Sequence, residues 1–215
     1  MIAANLDWLC IVAAVREPAL RPGFIDRALI AAHSGNLNAV ICFNKIDLDP
    51  DFEGLDVVRT YRELGYPVFL LSAESGVGLE ALREKLAGGT SAFVGQSGVG
   101  KSSLLNCLDP NLDLKTNQMM TRHDRGRHTT TAAQLYPLAG GYLVDTPGIK
   151  ELQPWGIPQD ELVQHYKEMA PLAGGCHFRD CSHRHEPGCA VIQAVEEGRV
   201  SPLRHQGYCS VWESL

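Results

Sequence analysis

Residues 95–102, GQSGVGKS, constrain this chain more than any other stretch. They fit the spacing G-x-x-x-x-G-K-[ST], follow the apolar run TSAFVG (90–95), and lead into KSSLLNCL (101–108), which reads as a helix. A strand that turns through glycines into a helix start aims a row of backbone N–H groups at one point, where an anion can sit. Such a turn belongs on a parallel sheet with helices over both faces.

The neighbouring sequence supports that architecture. LDWLCIVAAV (6–15), NAVICF (38–43) and PVFLLSA (67–73) are apolar runs without polar alternation, as expected of strands buried on both sides. Between them IDRALIAAHSG and LDVVRTYRELG, and after them GLEALREKLAG, have helical spacing, the first stopping at Gly35. AQLYPL and GYLVDTPG read as two more strands joined by a Gly-Gly turn. DLKTNQMMTRHDRGRHTTT holds no period and reads as a long functional loop. From about Gln153 the character changes to Pro, Trp and Gly, then a Cys/His cluster and short helical stretches such as AVIQAVEEG. The expected domains are therefore 1–152, an α/β P-loop domain, and 153–215, a small, mostly helical, metal-binding one.

Composition narrows the functions. A formal charge of −6 with a pI near 5.7 does not suggest a general nucleic-acid binder, so any such binding falls to a local patch. No run approaches the ~20 apolar residues of a membrane span, and the start lacks the basic flank of a signal peptide. A cytoplasmic protein without a membrane partner is expected. Of the seven cysteines, Cys10 and Cys42 sit in apolar runs and read as small core residues.

Three further stretches each end an apolar run. In the phosphate-loop reading, Gly95, Gln96, Ser97, Gly98, Val99, Gly100, Lys101, Ser102 and Ser103 surround the phosphates. Lys101 reaches the β and γ phosphates, and the Ser102 hydroxyl takes a magnesium position. In DTPG (145–148), Asp145 acts on magnesium, through water, and the Gly148 amide meets the γ-phosphate. In NKID (44–47), the Asp47 carboxylate accepts from the guanine N1–H and amine, a pattern adenine cannot offer; Asn44 bonds the base edge and ties loops together, and the Lys45 stem covers the ring. In SAESGVG (72–78), the backbone of Ser72 and Ala73 completes the base pocket.

The order is unusual, because base-reading loops precede the phosphate loop. Cutting an ordinary GTPase and rejoining its ends produces that order, a circular permutation, which a fold tolerates when its termini lie close together. The loop after DTPG then runs straight into the C-terminal domain, so a γ-phosphate-dependent movement there could reposition it.

In CHFRDCSHRHEPGC (176–189), Cys176, Cys181, His183 and Cys189 suit a closed tetrahedral zinc site, with His177 and His185 as alternative ligands. Three thiolates and an imidazole leave no open position for water, so the zinc is structural.

With NKIDL, GQSGVGKSSLLN, GRHTTT, DTPGI and this cluster in that order, the chain resembles the RsgA (YjeQ) family of circularly permuted, ribosome small subunit-dependent GTPases, nearly end to end. The resemblance implies a GTP hydrolase acting in late maturation of the small (30S) ribosomal subunit, stimulated by the particle and contacting 16S rRNA, with GTP and GDP as substrate and product, magnesium, one structural zinc and a monomeric state. Family members carry an N-terminal OB-fold before the first strand; here that strand begins almost at Met1. Within GRHTTT, one of Thr129 to Thr131 closes over magnesium and the γ-phosphate, Thr130 being favoured. Ile149 stands where many GTPases carry a water-orienting glutamine, and His128 is the candidate replacement. The competing readings are a non-catalytic GTP-dependent module that docks on ribosomal RNA or protein, favoured by Ile149, and a P-loop ATPase or kinase, disfavoured by NKID.

Overall fold

The structure, a computed structural model, describes residues 6–49, 51–52, 55–112, 134–145 and 156–215, the side chains of Gln134 and Asp145 excepted. Successive residues of β1 (Trp8–Ala14) point into two different cores, and this organises the sheet half. Leu9, Ile11 and Ala13 pack with Ile25, Ala28 and Leu29 of α1 (Pro22–Ser34) and with Val57, Val58 and Tyr61 of α2 (Asp56–Glu63). Cys10, Val12 and Ala14 pack with Leu82 and Leu86 of α3 (Leu79–Leu86) and with Leu104, Leu105 and Leu108 of α4 (Lys101–Leu108). Cys10 and Cys42 are fully buried core thiols, as read from their apolar runs.

The other strands are β2 (Asn38–Asn44), β3 (Val68–Leu71), β4 (Thr90–Val94), β5 (Gln134–Leu138) and β6 (Gly141–Asp145). They form one six-stranded sheet in the order β3-β2-β1-β4-β6-β5. All neighbours are parallel except β5, which runs antiparallel to β6. The chain works outward from β1 to β3, returns to β4, and then places β5 at the far edge before β6 turns back to pair between β5 and β4. The reversal between β1 and β4 opens a crevice beyond the strand ends, where open α/β sheets bind ligands.

The β5–β6 turn departs from the expected Gly-Gly. Its two loop residues are Ala139 (φ 50°) and Gly140 (φ 74°), while Gly141 already opens β6. A two-residue turn of matching twist needs positive φ at both positions, and Ala139 accepts it here.

Helix α1 starts with Pro22 in its first turn, earlier than the expected stretch, and its buried residues include Asp26 and Ile30 as well as the sheet-facing ones. Ile30 belongs to a third core, with Leu162 and Val163 of a 3-10 turn (Gln159–His165), Tyr166, Met169, Val191, Ala194, Tyr208 and Val211. Val191 and Ala194 come from α6 (Ala190–Glu196) and Tyr208 and Val211 from α7 (Pro202–Trp212), while the partly buried Leu172 and Ala173 of α5 (Ala170–Ala173) pack against them. The expected helical stretch AVIQAVEEG is α6; α7 carries no expectation from the sequence. Among the described residues, no helix is long and apolar enough to cross a membrane.

Candidate nucleotide site and candidate metal centre

β4 delivers Gly95 beside β1, and the loop to Gly100 passes directly into α4, so the N–H groups at that helix start face the crevice. Gly100 sits at φ 92°, and a Cβ there would collide with the Asn44 side-chain amide. Only glycine therefore satisfies both the turn and the close approach. The Lys101 ammonium lies on the loop, donating to the carbonyls of Gly95 at 2.7 Å and Gln96 at 2.8 Å. Ser102 and Ser103 follow on the first turn of α4, both half-buried.

The base-reading motif closes β2. Asn44 is 1% exposed; its amide donates to the Val99 carbonyl at 2.9 Å, and its own carbonyl accepts from the Ala73 N–H at 3.3 Å. One side chain thus links NKID, the phosphate loop and SAESGVG. Lys45 is left-handed (φ 67°) and starts a 3-10 turn (Ile46–Leu48), and its ammonium donates to the Glu17 carbonyl in the loop after β1. Asp47 is exposed, with one carboxylate oxygen taken by the buried Ser72 hydroxyl at 2.5 Å. The same hydroxyl accepts from the Ser75 N–H at 3.1 Å. Asn44, Lys45, Asp47, Ser72, Ala73 and the loop 95–103 thus come together beyond the ends of the strands, with the loop after β1 beside them.

Asp145 ends β6, opposite Gln134 in the ladder. His128, Thr129, Thr130, Thr131, Gly148 and Ile149 lie outside the described residues, as does the boundary at 152/153.

In the C-terminal part, the sulfurs of Cys176, Cys181 and Cys189 and Nδ1 of His183 lie within 4.8 Å of one another. Cys176 Sγ is 3.4 Å from His183 Nδ1 and 3.9 Å from Cys189 Sγ, and Cys189 Sγ is 3.6 Å from His183 Nδ1. Bonds of ~2.3 Å to sulfur and ~2.05 Å to nitrogen give tetrahedral edges of about 3.8 Å (S–S) and about 3.6 Å (S–N). The residues present therefore fit a Cys3His metal. Burial, with the neighbouring sulfurs, pushes the Cys181 thiol up to about 12, the strain that a cation among them relieves. Glu186 shapes the loop, accepting from Ser182 N at 2.9 Å, Arg184 N at 3.2 Å and His185 N at 3.2 Å. Although its burial opposes this, those bonds, led by Ser182, hold its carboxyl below the usual range. The alternative ligands His177 and His185 are exposed and outside the cluster.

Sequence reasoning missed Arg16, Glu17, Asp26 and Arg204. Glu17 contributes only a backbone carbonyl, which no side-chain motif can flag. Asp26 did leave a signal, a carboxylate inside the apolar stretch IDRALIAAHSG.

A family model described as RsgA GTPase matches residues 1–155. A Histophilus somni (strain 2336) protein named small ribosomal subunit biogenesis GTPase RsgA is 44% identical over 218 residues, covering 100% of this chain. The chain spans 62% of that relative's length. A Gemmatimonas aurantiaca protein of the same name is 43% identical, covering 100% of this chain and 70% of its own length. Among solved structures, YjeQ from Thermotoga maritima matches with a TM-score of 0.83 at 37% identity, over 98% of this chain and 72% of that one. YloQ, described as a circularly permuted GTPase, matches with a TM-score of 0.75 at 31% identity, over 98% and 68%.

Proposed function

The chain belongs to the RsgA GTPase family and has a circularly permuted GTPase fold, and on that premise we propose that it binds and hydrolyses GTP in maturation of the small ribosomal subunit. The observation that carries the reading is the Asn44 side chain, which bonds the phosphate loop at Val99 and the SAESGVG loop at Ala73. Base and phosphate recognition are thereby one rigid unit. Asp47, oriented by Ser72, reads the guanine edge, and Lys45 covers the ring. The N–H groups from Gly95 to Ser103 hold the β and γ phosphates, and Lys101 exchanges its loop carbonyls for phosphate oxygens. Ser102, Asp145 and Thr130 would hold magnesium, a hard cation suited to such oxygen donors, which when bound supplies positive charge to the phosphates. Gly148 meets the γ-phosphate, and His128 orients the attacking water, the role Ile149 cannot fill. Cys176, Cys181, His183 and Cys189 would hold a structural zinc, their ligand atoms being close enough for one cation. The third core, drawn from residues 162–211 apart from Ile30 of α1, supports a domain division at 152/153. A cytoplasmic setting and contact with 16S rRNA belong to the same proposal, supported by relatives named for small ribosomal subunit biogenesis.

The test is steady-state GTP hydrolysis by this chain, with and without purified small ribosomal subunits and with ATP as competitor. The expected result is stimulation by the particle and indifference to ATP. Tight GTP binding with turnover that the particle leaves slow would favour the second reading, a nucleotide-dependent docking module, which Ile149 supports.

A further inference from the structure

Helix α1 has the nucleotide loops at one end and the C-terminal part locked against its middle. Residues 15–21, between β1 and α1, touch both halves of the nucleotide site. Val15 N donates to the Asn44 carbonyl at 3.0 Å, the Glu17 carbonyl accepts from Lys45, and Arg16 pairs with Asp49 at 3.2 Å. On the phosphate side, Ala19, Leu20, Phe24, Gln96 and Val99 line one small cavity. The loop then enters α1 at Pro22.

One turn further on, Asp26 is fully buried and pairs with Arg204 of α7, which is 1% exposed. Arg204 also pairs with Glu168 at 2.6 Å and lies 4.4 Å from the centre of the Tyr166 ring. The Tyr61 hydroxyl donates to Asp26 at 2.8 Å. Gly207 lets α7 come this close, because a Cβ there would collide with Asp26 Oδ2. Ile30 packs in the third core, and Arg27 donates to Ser214 at 3.1 Å. Parting α1 from α7 would leave buried charges unpaired, so the two helices move as one piece.

We propose that α1 carries the state of the nucleotide site to the C-terminal part, through the Asp26–Arg204 pair. The inference rests on the nucleotide-binding reading above and adds a route to the one expected through the segment after DTPG, since the 15–21 loop bonds directly to the base loop and leads into α1, bypassing residues 146–155. What the base and phosphate loops gain when a nucleotide orders them is passed by the 15–21 loop to α1 and by the ion pair to α7.

The experiment is hydrogen exchange on the whole chain with GDP as the probe, after calorimetry has established GDP binding. GDP is expected to slow exchange in residues 15–21, α1 and α7. In Asp26→Asn, with GDP binding and metal content retained, the α7 response should fall at least about twofold while the 15–21 response stays. Tyr61→Phe, which deletes one hydroxyl, should lower it less and serves where Asp26→Asn does not fold. GDP binding with α7 unchanged, or an undiminished α7 response in the variants, overturns this inference alone. No GDP binding overturns the nucleotide reading, and this one with it.

Discussion

The crevice edge of the sheet and the C-terminal module solve the same problem, holding polar groups at fixed positions, by opposite means. At the crevice the backbone does the work: strands set in two apolar cores end at loops whose N–H and C=O groups are the working parts, with Asn44 as the buried tie. In the module a short, partly irregular segment packs on a third core that borrows Ile30 from α1, and charged side chains and a cluster that fits a metal fix the rest. Geometry made by backbone on a sheet persists on its own. Geometry made by side chains depends on every member being present in the right protonation state.

Removing the metal should break the comparison open, and it is the largest expected effect. A structural zinc contributes on the order of 10 kcal/mol of binding free energy to its fold near neutral pH. Chelation should therefore unfold residues around the Cys176–Cys189 loop and loosen α6 and α7, read as lost helical circular dichroism and lost protection, while the parallel sheet survives. Unchanged melting at zero metal content would mean that the third core alone holds the module.

The next effect separates two ion pairs. Arg204→Met leaves the buried Asp26 and Glu168 carboxyls without their counter-charge, Asp26 keeping the Tyr61 hydroxyl, and should cost about 3–5 kcal/mol in denaturant unfolding. Two carboxylates hold the Arg204 guanidinium protonated against the pull of burial, so the deleted charge is a real one. Arg16→Gln breaks a pair whose arginine is 63% exposed and should cost less than about 1 kcal/mol. Equal losses would show that burial does not set the strength of the interface.

This contrast also explains what the sequence could reveal. The strands at 8–14, 38–44, 68–71 and 90–94 match the apolar runs closely, because burial on both faces leaves no other pattern. The loop residues were legible because their spacing is the chemistry: Gly100 must avoid Asn44, and Lys101 must follow it. The cluster Cys176, Cys181, His183 and Cys189 was legible as a set, but the choice of His183 over His177 and His185 is made by packing, since His183 is the buried one. Asp26 and Arg204 were not legible as partners. They stand 178 residues apart, and although Asp26 interrupts an apolar stretch, nothing along the chain points from it to Arg204. Helix α7 was missed for a related reason: it buries an arginine and a glycine on the face that an amphipathic pattern would fill with apolar residues.

A third prediction tests the backbone side of the comparison. Gly100→Ala puts a Cβ against the Asn44 amide in a left-handed conformation, which should cost about 1–3 kcal/mol in stability. Because Asn44 also positions Ala73, the same change should weaken base as well as phosphate recognition, so guanosine itself should bind less well. Loss of phosphate binding with guanosine affinity intact would show that the two loops are not one unit.

The smallest effect concerns acid. His165 of the C-terminal part meets His33 of α1, Nδ1 to Nδ1, at 3.0 Å, with the Ser34 hydroxyl at 3.4 Å. Burial, then the neighbouring His33, lower the His165 pKa, against the pull of Glu161. The folded chain therefore binds fewer protons than the unfolded one once pH falls below the ordinary histidine value of about 6.5, and stability is lost from there down toward the lowered value. Above that window the contribution is complete. Since solvent screens a group this exposed, the loss should stay below about 1 kcal/mol. His165→Gln should flatten the fall in urea midpoint between about pH 6.5 and 5 relative to the unaltered chain. An identical slope in the two proteins would place the acid sensitivity elsewhere and leave Asp26–Arg204 as the contact that matters between α1 and the module.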